Sequence, residues 1–367
     1  MPTQLEAGAD CTKASEEKAT SEPWQQRYLQ FTRASQFSSG STVTVAVVDT
    51  GVSVTAPALK GRVIALGSAG QDCVGHGSFV AGLIGAAATQ GVKFAGVAPQ
   101  ARIVAVRGTD ARGKATASSV AAGITQAVQA KAQVIVVSPA LANRSAQLTA
   151  AVDNAVKHDA LLIAAAVPDP PRAGTASKAA PVPRDYWPAA QSGVLSVLDI
   201  DADGKRLDGA LLPRAADLTA PGDGVISIGP RGTGHFIGSG ASFGAAFVAG
   251  AAAQVRSAHP ELSAEQTAAR LISTAYPDVV PRLDPYAAVT AATTAAQGQS
   301  AVQHPLARDK PVVLPADAGA LPMRRAALCT AIAGAVLFVL ACAAVVVPRG
   351  RARGWQPAEV SRSAERG

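Results

Sequence analysis

Three residues of the chain have side chains whose chemistry could combine, and each stands at the boundary of a predicted element. Asp49 ends the apolar strand VTVAVVD, His76 begins a helix after the loop DCVGHG, and Ser242 begins another helix after GSGA. A serine hydroxyl becomes a nucleophile when an imidazole takes its proton, and a buried carboxylate fixes the tautomer of that imidazole. Because the order Asp, His, Ser is one in which this triad occurs, we predict that the three residues are catalytic.

Each of the three residues also has a structural alternative. Asp49 fits a turn at the end of a strand, His76 fits a helix start, and Ser242 fits an N-cap, because serine accepts the first helical N–H bonds. In an open α/β sheet, however, functional residues collect at the carboxyl ends of strands. One shared site explains all three glycine-flanked positions better than three independent structural roles do.

Short apolar strands alternate with helices along the first 290 residues. This alternation is typical of βαβ units around a central parallel sheet flanked by helices, so we predict an α/β fold. The predicted strands are 43–48, 102–106, 134–137, 161–166, 194–198 and 225–228; helices are predicted from His76, over 115–132 and 145–158, and after Ser242 and Ser263.

Changes in composition divide the chain into five segments. These are an N-terminal arm (1–40), an α/β domain (41–290), a linker (291–325), a transmembrane helix (326–347) and a basic cytoplasmic tail (348–367).

The predicted transmembrane helix is an uncharged run of about 22 residues, which spans roughly 33 Å as a helix and matches a bilayer core. Arginines flank it, with a slight excess on the C-terminal side, which favours a cytoplasmic tail and an α/β domain outside the cytoplasm. The start MPTQLEAGADC lacks the features of an export signal. Either the start is truncated or misplaced, or the topology is reversed.

Several other function classes fit the sequence poorly. The net charge of +7 comes from scattered residues, without a basic run that carries interleaved aromatics, so nucleic acid is not a predicted partner. The first strand ends in DTGVS and offers no G-x-G-x-x-G phosphate loop. Residues 199–204 (DIDADG) resemble half of a calcium loop, but Ala210 stands where the ligating Glu is required. We therefore predict neither a metal nor a cofactor.

The segments around the three candidate residues are similar to those of a known family. VAVVDTGV (45–52), GHGSFVAGLI (75–84) and GASFGAAFVAG (240–250) resemble the motifs of subtilisin-like serine proteases, the subtilases. Supporting similarities are GVAP (96–99) and LTAPG (218–222). The resemblance spans about residues 24–290 and implies the subtilisin-like fold and serine endopeptidase activity on protein or peptide substrates.

Within the subtilases, the chain resembles the mycosins of type VII secretion systems. The similar features are the N-terminal arm with Cys11, the position of Cys73 just before His76, and the C-terminal apolar run with its basic tail. From the residues alone, Cys11 and Cys73 could equally be a disulfide or two free thiols. The mycosin resemblance implies that they form a disulfide, and it also implies export, a membrane anchor and association with a secretion complex.

The chain departs from the subtilase pattern at the oxyanion hole. Subtilases usually have a strand ending in A-A-G-N, whose Asn amide helps to stabilise the oxyanion, whereas LLIAAAVPDP places Val167 and Pro168 at those positions. Neither side chain can donate a hydrogen bond, and Asp169 would repel an oxyanion, which leaves the backbone N–H of Ser242 as a donor. We therefore predict a membrane-anchored serine endopeptidase with an impaired oxyanion hole; the alternative is a catalytically weak or inactive protease-like scaffold that stabilises a secretion complex.

Overall fold

The computed structural model describes residues 1–170, 181–292 and 320–354. The chain divides into two units, Met1–Val312 and Val313–Gly367. Residues 293–319 of the predicted linker and 355–367 of the predicted tail lie outside the described residues.

The helices and strands of the described residues alternate as the sequence predicts. In chain order they are α1 (Trp24–Leu29), α2 (Phe31–Ala34), β1 (Thr44–Asp49), β2 (Val63–Ala65), α3 (His76–Gly85), β3 (Arg102–Arg107), α4 (Ala117–Gln129), β4 (Val134–Val137), α5 (Ala146–Lys157), β5 (Leu161–Ala165), β6 (Val194–Ile200), β7 (Leu218–Pro221), β8 (Val225–Ile228), β9 (His235–Gly238), α6 (Ala241–Ala258), α7 (Ala264–Ser273), α8 (Pro285–Thr290) and α9 (Ala320–Ala352).

The main sheet confirms the predicted parallel α/β architecture. Within the described residues it has seven strands in the order β2-β3-β1-β4-β5-β6-β7, and every neighbouring pair is parallel. Strand β8, although predicted, does not join this sheet but pairs with β9 as an antiparallel hairpin. Strand β1 lies near the centre of the main sheet, so its carboxyl end is surrounded by other strand ends.

Helices cover both faces of the main sheet, and the alternation of side chains along β1 shows how. Val45 and Val47 belong to the buried cluster that includes helices α3 and α6, whereas Ala46 and Val48 belong to the cluster that includes α4 and α5. A strand buried on both sides must be apolar throughout, which explains the continuous run VAVV. The sheet therefore holds the end of β1 rigidly.

Glycine and alanine allow helices α3 and α6 to lie unusually close to the sheet and to each other. Every residue of α3 is buried. A Cβ atom added to Gly77 would collide with the backbone oxygen of Gly51 and lie 3.0 Å from Asp49 Cβ, and one added to Gly250 would lie 2.6 Å from Val97 Cβ. Gly77 thus allows α3 to lie against the end of β1, and Gly250 allows α6 to lie against the segment that contains Val97.

The N-terminal arm is bonded to the domain beside helix α3. Cys11 and Cys73 form the predicted disulfide, with an S–S distance of 2.03 Å. Next to it, the Thr12 N–H donates to the Cys73 carbonyl at 2.9 Å, and the Thr12 hydroxyl donates to the Val74 carbonyl at 2.5 Å. The arm is therefore attached, covalently and by hydrogen bonds, to the loop that leads into α3.

The second unit contains helix α9, which covers the segment 326–347 predicted to cross a membrane. Pro348 lies inside this helix, and the described side chains of Leu337 and Phe338 are 67% and 71% exposed. Among the described residues, no helix combines the length and the apolar character needed to cross a membrane.

The segment that resembles half of a calcium loop is a surface turn held by its own aspartates. Asp201 Oδ1 accepts the backbone N–H groups of Asp203 and Lys205, at 2.9 and 2.8 Å. Asp199 forms an ion pair with Arg206 at 2.9 Å. Hydrogen bonds thus engage the carboxylate of Asp201, and an ion pair engages that of Asp199.

Candidate active site

Asp49 is the last residue of β1 and is 1% exposed. Its Oδ1 accepts the N–H of Thr50 at 2.6 Å, which fixes the carboxylate at the strand end. Both carboxylate oxygens face His76 Nδ1, at 2.9 Å from Oδ1 and 2.8 Å from Oδ2. Asp49 therefore orients the imidazole and can stabilise its protonated form.

His76 begins helix α3, directly after Gly75 at the N-cap. Gly75 has a φ of +92°, a left-handed conformation that favours glycine and turns the chain sharply into the helix. The imidazole ring lies against the Phe243 ring, with the centroids 5.1 Å apart. The turn and this aromatic contact fix the ring with Nδ1 towards Asp49 and Nε2 towards helix α6.

Asp72 is a buried carboxylate that sequence reasoning did not select, and it holds the start of α3. Its Oδ1 accepts the N–H of Gly75 at 2.7 Å and the hydroxyl of Thr50 at 2.9 Å, and its Oδ2 accepts both the N–H and the hydroxyl of Ser78. Burial raises its pKa above the ordinary value despite these bonds. Asp72 lies three residues before the N-cap, Gly75, so the usual N-cap signal does not identify it.

Ser242 is the second residue of helix α6 and is fully buried. Its Oγ lies 3.2 Å from His76 Nε2. The N-cap of α6 is Gly240, without a side-chain capping bond, so the capping alternative for Ser242 does not apply. Asp49, His76 and Ser242 thus form a continuous hydrogen-bonded chain from a strand end through one helix start to another.

Asp169 also reaches this chain, from the segment that follows β5. Its Oδ1 accepts the backbone N–H of Ser242 at 3.0 Å, and its Oδ2 lies 3.0 Å from His76 Nε2. The Ser242 hydroxyl also donates to Oδ2. The carboxylate therefore contacts both the nucleophile and the base of the predicted triad.

The residues predicted as a degenerate oxyanion position lie just before Asp169. Val167 is 2% exposed and packs in a small apolar cluster with Tyr186 and Leu198, whereas Pro168 lines the cleft. In the structure the side chain opposite Ser242 is that of Asp169, one residue beyond the position that strand alignment suggests. Counting residues from the end of the strand does not reveal that Asp169 contacts Ser242.

The two carboxylates determine the charge of His76. Burial by itself would lower the pKa of His76, but Asp49 and Asp169 outweigh burial and raise it to about 10. In turn, burial would raise the pKa of Asp49, yet the contact with His76 holds it below the ordinary value. The contacts with Asp49 and Asp169 therefore favour the protonated imidazole in the described site.

A cavity of about 220 Å³ opens beside the triad. Its wall includes His76 and Asp169 on one side, Ser138 and Leu141 on another, and Thr3 of the N-terminal arm. Nearby, the Leu5 N–H donates to the Arg112 carbonyl at 2.9 Å. The arm is therefore hydrogen-bonded to the domain close to this cleft.

Comparison with known proteins agrees with this geometry. The sequence model of the Subtilase family, peptidase S8, matches residues 40–305 of this chain. The chain belongs to the subtilase family. As a member of that family, this subtilase is a serine-type endopeptidase by class, and its fold and motif order agree with that class.

The relatives of this subtilase include mycosins. It is 30% identical over 401 residues to Mycosin-3 of Mycobacterium tuberculosis, a match that covers 89% of this chain and 84% of the relative. The crystal structure of MycP1 from the ESX-1 type VII secretion system has 25% identity and a TM-score of 0.67, and the match covers 80% of this chain and 92% of that chain. A chain of an intact ESX-5 inner membrane complex has 27% identity and a TM-score of 0.67, over 94% of this chain and 95% of that chain.

Proposed function

We propose that this subtilase cleaves polypeptides with Ser242 as nucleophile, His76 as general base and Asp49 as the residue that orients the base. The observation that supports the proposal is the position of the imidazole, with Nδ1 at 2.8 Å from Asp49 and Nε2 at 3.2 Å from the Ser242 hydroxyl. This is the relation that nucleophile, base and orienting group have in a serine protease triad.

The reaction follows from these contacts. Ser242 Oγ attacks the carbonyl carbon of the scissile bond while its proton passes to His76 Nε2, and Asp49 stabilises the imidazolium. The oxyanion that forms accepts the backbone N–H of Ser242. The C–N bond breaks as His76 returns the proton to the leaving amine, and water, activated by His76, then hydrolyses the acyl ester.

An impaired oxyanion hole is part of the proposal. Val167 is buried in an apolar cluster and Pro168 has no N–H, so neither supplies the second donor. Loss of such a donor lowers the rate about 10²- to 10³-fold in a related protease. We therefore expect slow turnover with an otherwise complete triad.

Proteolysis is tested with the purified full-length chain and a library of quenched fluorescent peptides. Ser242→Ala should lower the rate about a thousandfold or more, because it removes the nucleophile. Ser257→Ala, at the far end of the same helix, is the matched control and should retain the wild-type rate. Equal rates for the wild type and Ser242→Ala would overturn the proposal.

We further propose that the chain is anchored by residues 326–347 and works beside a type VII secretion membrane complex. The uncharged run and its flanking arginines support an anchor, and the similarity to a chain of the ESX-5 inner membrane complex supports the partner. Carbonate extraction of membranes should leave the full chain in the pellet and release a variant that lacks residues 320–354. Release of both would contradict the anchor.

A scaffold role is the second candidate, and the contact of Asp169 with Ser242 favours it, because this side chain occupies the nucleophile's hydrogen-bonding groups. A strain that carries Ser242→Ala separates the two functions. A scaffold preserves secretion in that strain and loses it on deletion of the gene, whereas a required protease loses secretion in both.

A further inference from the structure

Ser242, the nucleophile of the proposed reaction, is inaccessible to solvent in the structure. Ser242 is fully buried and does not line the cleft, although His76 does. The side chain that separates Ser242 from the cleft is that of Asp169, which is itself only 2% exposed. A substrate carbonyl therefore cannot reach Ser242 Oγ until the Asp169 side chain moves away.

The carboxylate of Asp169 takes the place that an oxyanion would occupy. In the tetrahedral intermediate, the negatively charged oxygen requires the backbone N–H of Ser242, and the proton on His76 Nε2 lies beside it. Asp169 Oδ1 accepts that N–H at 3.0 Å, and Oδ2 faces that Nε2 at 3.0 Å. Asp169 thus accepts hydrogen bonds from the two donors that would stabilise the oxyanion of the substrate.

The surrounding residues are shaped to hold Asp169 in this place. A Cβ atom on Gly240 would collide with the Asp169 carboxylate, so the glycine before helix α6 leaves room for it. Behind Asp169, Ala166, Val167 and Tyr186 belong to an apolar cluster that fixes the preceding backbone. The site has a built pocket for this side chain.

The contacts of His76 with two aspartates stabilise the closed arrangement. His76 lies between Asp49 at the end of β1 and Asp169 after β5. Of the other charged groups, Asp72 before α3 repels Asp49, and the amino group of Met1 interacts electrostatically with Asp169. With both its nitrogens donating to carboxylates, the imidazole in this state cannot take the serine proton.

We propose that Asp169 closes the reaction centre from within: its side chain occupies the oxyanion position and holds Ser242 and His76 until a substrate carbonyl displaces it. This inference rests on the proposed function, because it assigns Asp169 a role at the same triad. Asp169→Asn keeps the shape of the side chain, removes its charge and supplies an amide that can donate to an oxyanion.

The first test does not depend on turnover. The His76 imidazole is titrated by NMR in the full-length chain labelled at its histidines, and its signal is identified by its loss in His76→Gln. Asp169→Asn should lower the pKa of His76 by at least about one unit, because one of its two anionic partners is removed. Asp208→Asn, at an exposed turn, is the matched control and should leave it unchanged. An unchanged pKa in Asp169→Asn would overturn the inference, whatever the activity.

The second test separates this inference from the proposed function. A fluorophosphonate should label Ser242 about tenfold or more faster in Asp169→Asn and Asp169→Ala than in the wild type, and peptide turnover should be faster in the Asn variant than in the Ala variant. If the pKa of His76 falls but the wild type labels as fast as both variants, Asp169 does not close the site. If no folded variant is labelled on Ser242 while the pKa falls, the contact with Asp169 stands and the proposed function fails.

Discussion

At the scale of single residues, His76 has two competing anionic partners. Asp49 contacts Nδ1 and, in the proposed reaction, helps the imidazole to accept a proton from Ser242, whereas Asp169 contacts Nε2, the atom that would receive that proton. The same imidazolium thus contributes to folding stability in the closed site and must lose its proton before it can act as a base. Stability and readiness for catalysis oppose each other at this residue.

The pH dependence of stability reports this conflict. Because the folded-state pKa of His76 is raised from 6.5 to about 10, its contribution to stability is fully present below pH 6.5 and is lost as the pH rises towards 10. Relative to His76→Gln, the free energy of unfolding of the wild type should fall by roughly 1 kcal/mol for each pH unit in that window. Urea unfolding at pH 6, 8 and 10 measures it. The exposed residue His158, replaced by Gln, is the control and should show no such trend; a constant difference between the wild type and His76→Gln would contradict the account.

The triad residues could be selected from the sequence because each type stands beside glycines at the boundary of a strongly patterned element. The contact of Asp169 with Ser242 could not be predicted in this way. Its reach depends on the backbone course through Val167 and Pro168, and a shift of one residue changes which side chain faces Ser242. Local patterns carry no information on that course.

At the scale of elements, the distance between helix α3 and strand β1 decides whether His76 meets Asp49. Gly77 is the residue at the point of closest approach, because the helix backbone there lies against Gly51. The small residues of α3 are therefore a positional requirement, in addition to being apolar.

Gly77→Ala should separate the helix from the strand. Its added methyl group collides with backbone that cannot yield, so we expect a loss of about 1–3 kcal/mol in the free energy of unfolding and a fall in kcat/KM. Gly85→Ala on the same helix is the matched control, since its Cβ would make only ordinary contacts from 3.4 Å outward. Chemical unfolding and peptide hydrolysis measure both variants. Equal stability of the two variants would show that the close approach is not required.

Strands β1, β3, β4 and β5 could be predicted because they are continuous apolar runs buried on both faces. Strand β2 has three residues, none of which is fully buried, and β7 (LTAP) and β9 (HFIG) are not continuous apolar runs, so these strands give little signal. The sequence of β8 correctly predicted a strand. Its antiparallel pairing with β9, however, depends on how the chain turns between the two strands, which the apolar pattern does not show. Pairing partners therefore had to come from the structure.

At the scale of the whole molecule, the arm forms one folded unit with the domain that carries the triad. The Cys11–Cys73 disulfide closes a separation of 62 residues and ends three residues before His76. Its pairing followed from a family resemblance, since two cysteines alone do not specify a bond. The division into arm, domain, linker, apolar segment and tail remains a prediction from composition.

Replacement of both Cys11 and Cys73 by serine should lower the free energy of unfolding by about 2–4 kcal/mol, because the unfolded chain loses a constraint. Cys342→Ser is the matched control, since this thiol is free and exposed, and it should leave stability unchanged. Thermal or urea unfolding without reductant measures the difference. A double variant as stable as the wild type would indicate that the arm is held by non-covalent contacts alone.

The most direct measurement for the central claim is the site of covalent labelling by a fluorophosphonate. After the folded full-length chain and its Asp169→Asn variant have reacted, peptide mass spectrometry locates the adduct. We expect an adduct on Ser242, which forms faster in Asp169→Asn, and none at that position in Ser242→Ala or in His76→Gln over the same time. An adduct that forms on Ser242 equally fast without His76, or no adduct on Ser242 in any folded form, would contradict it.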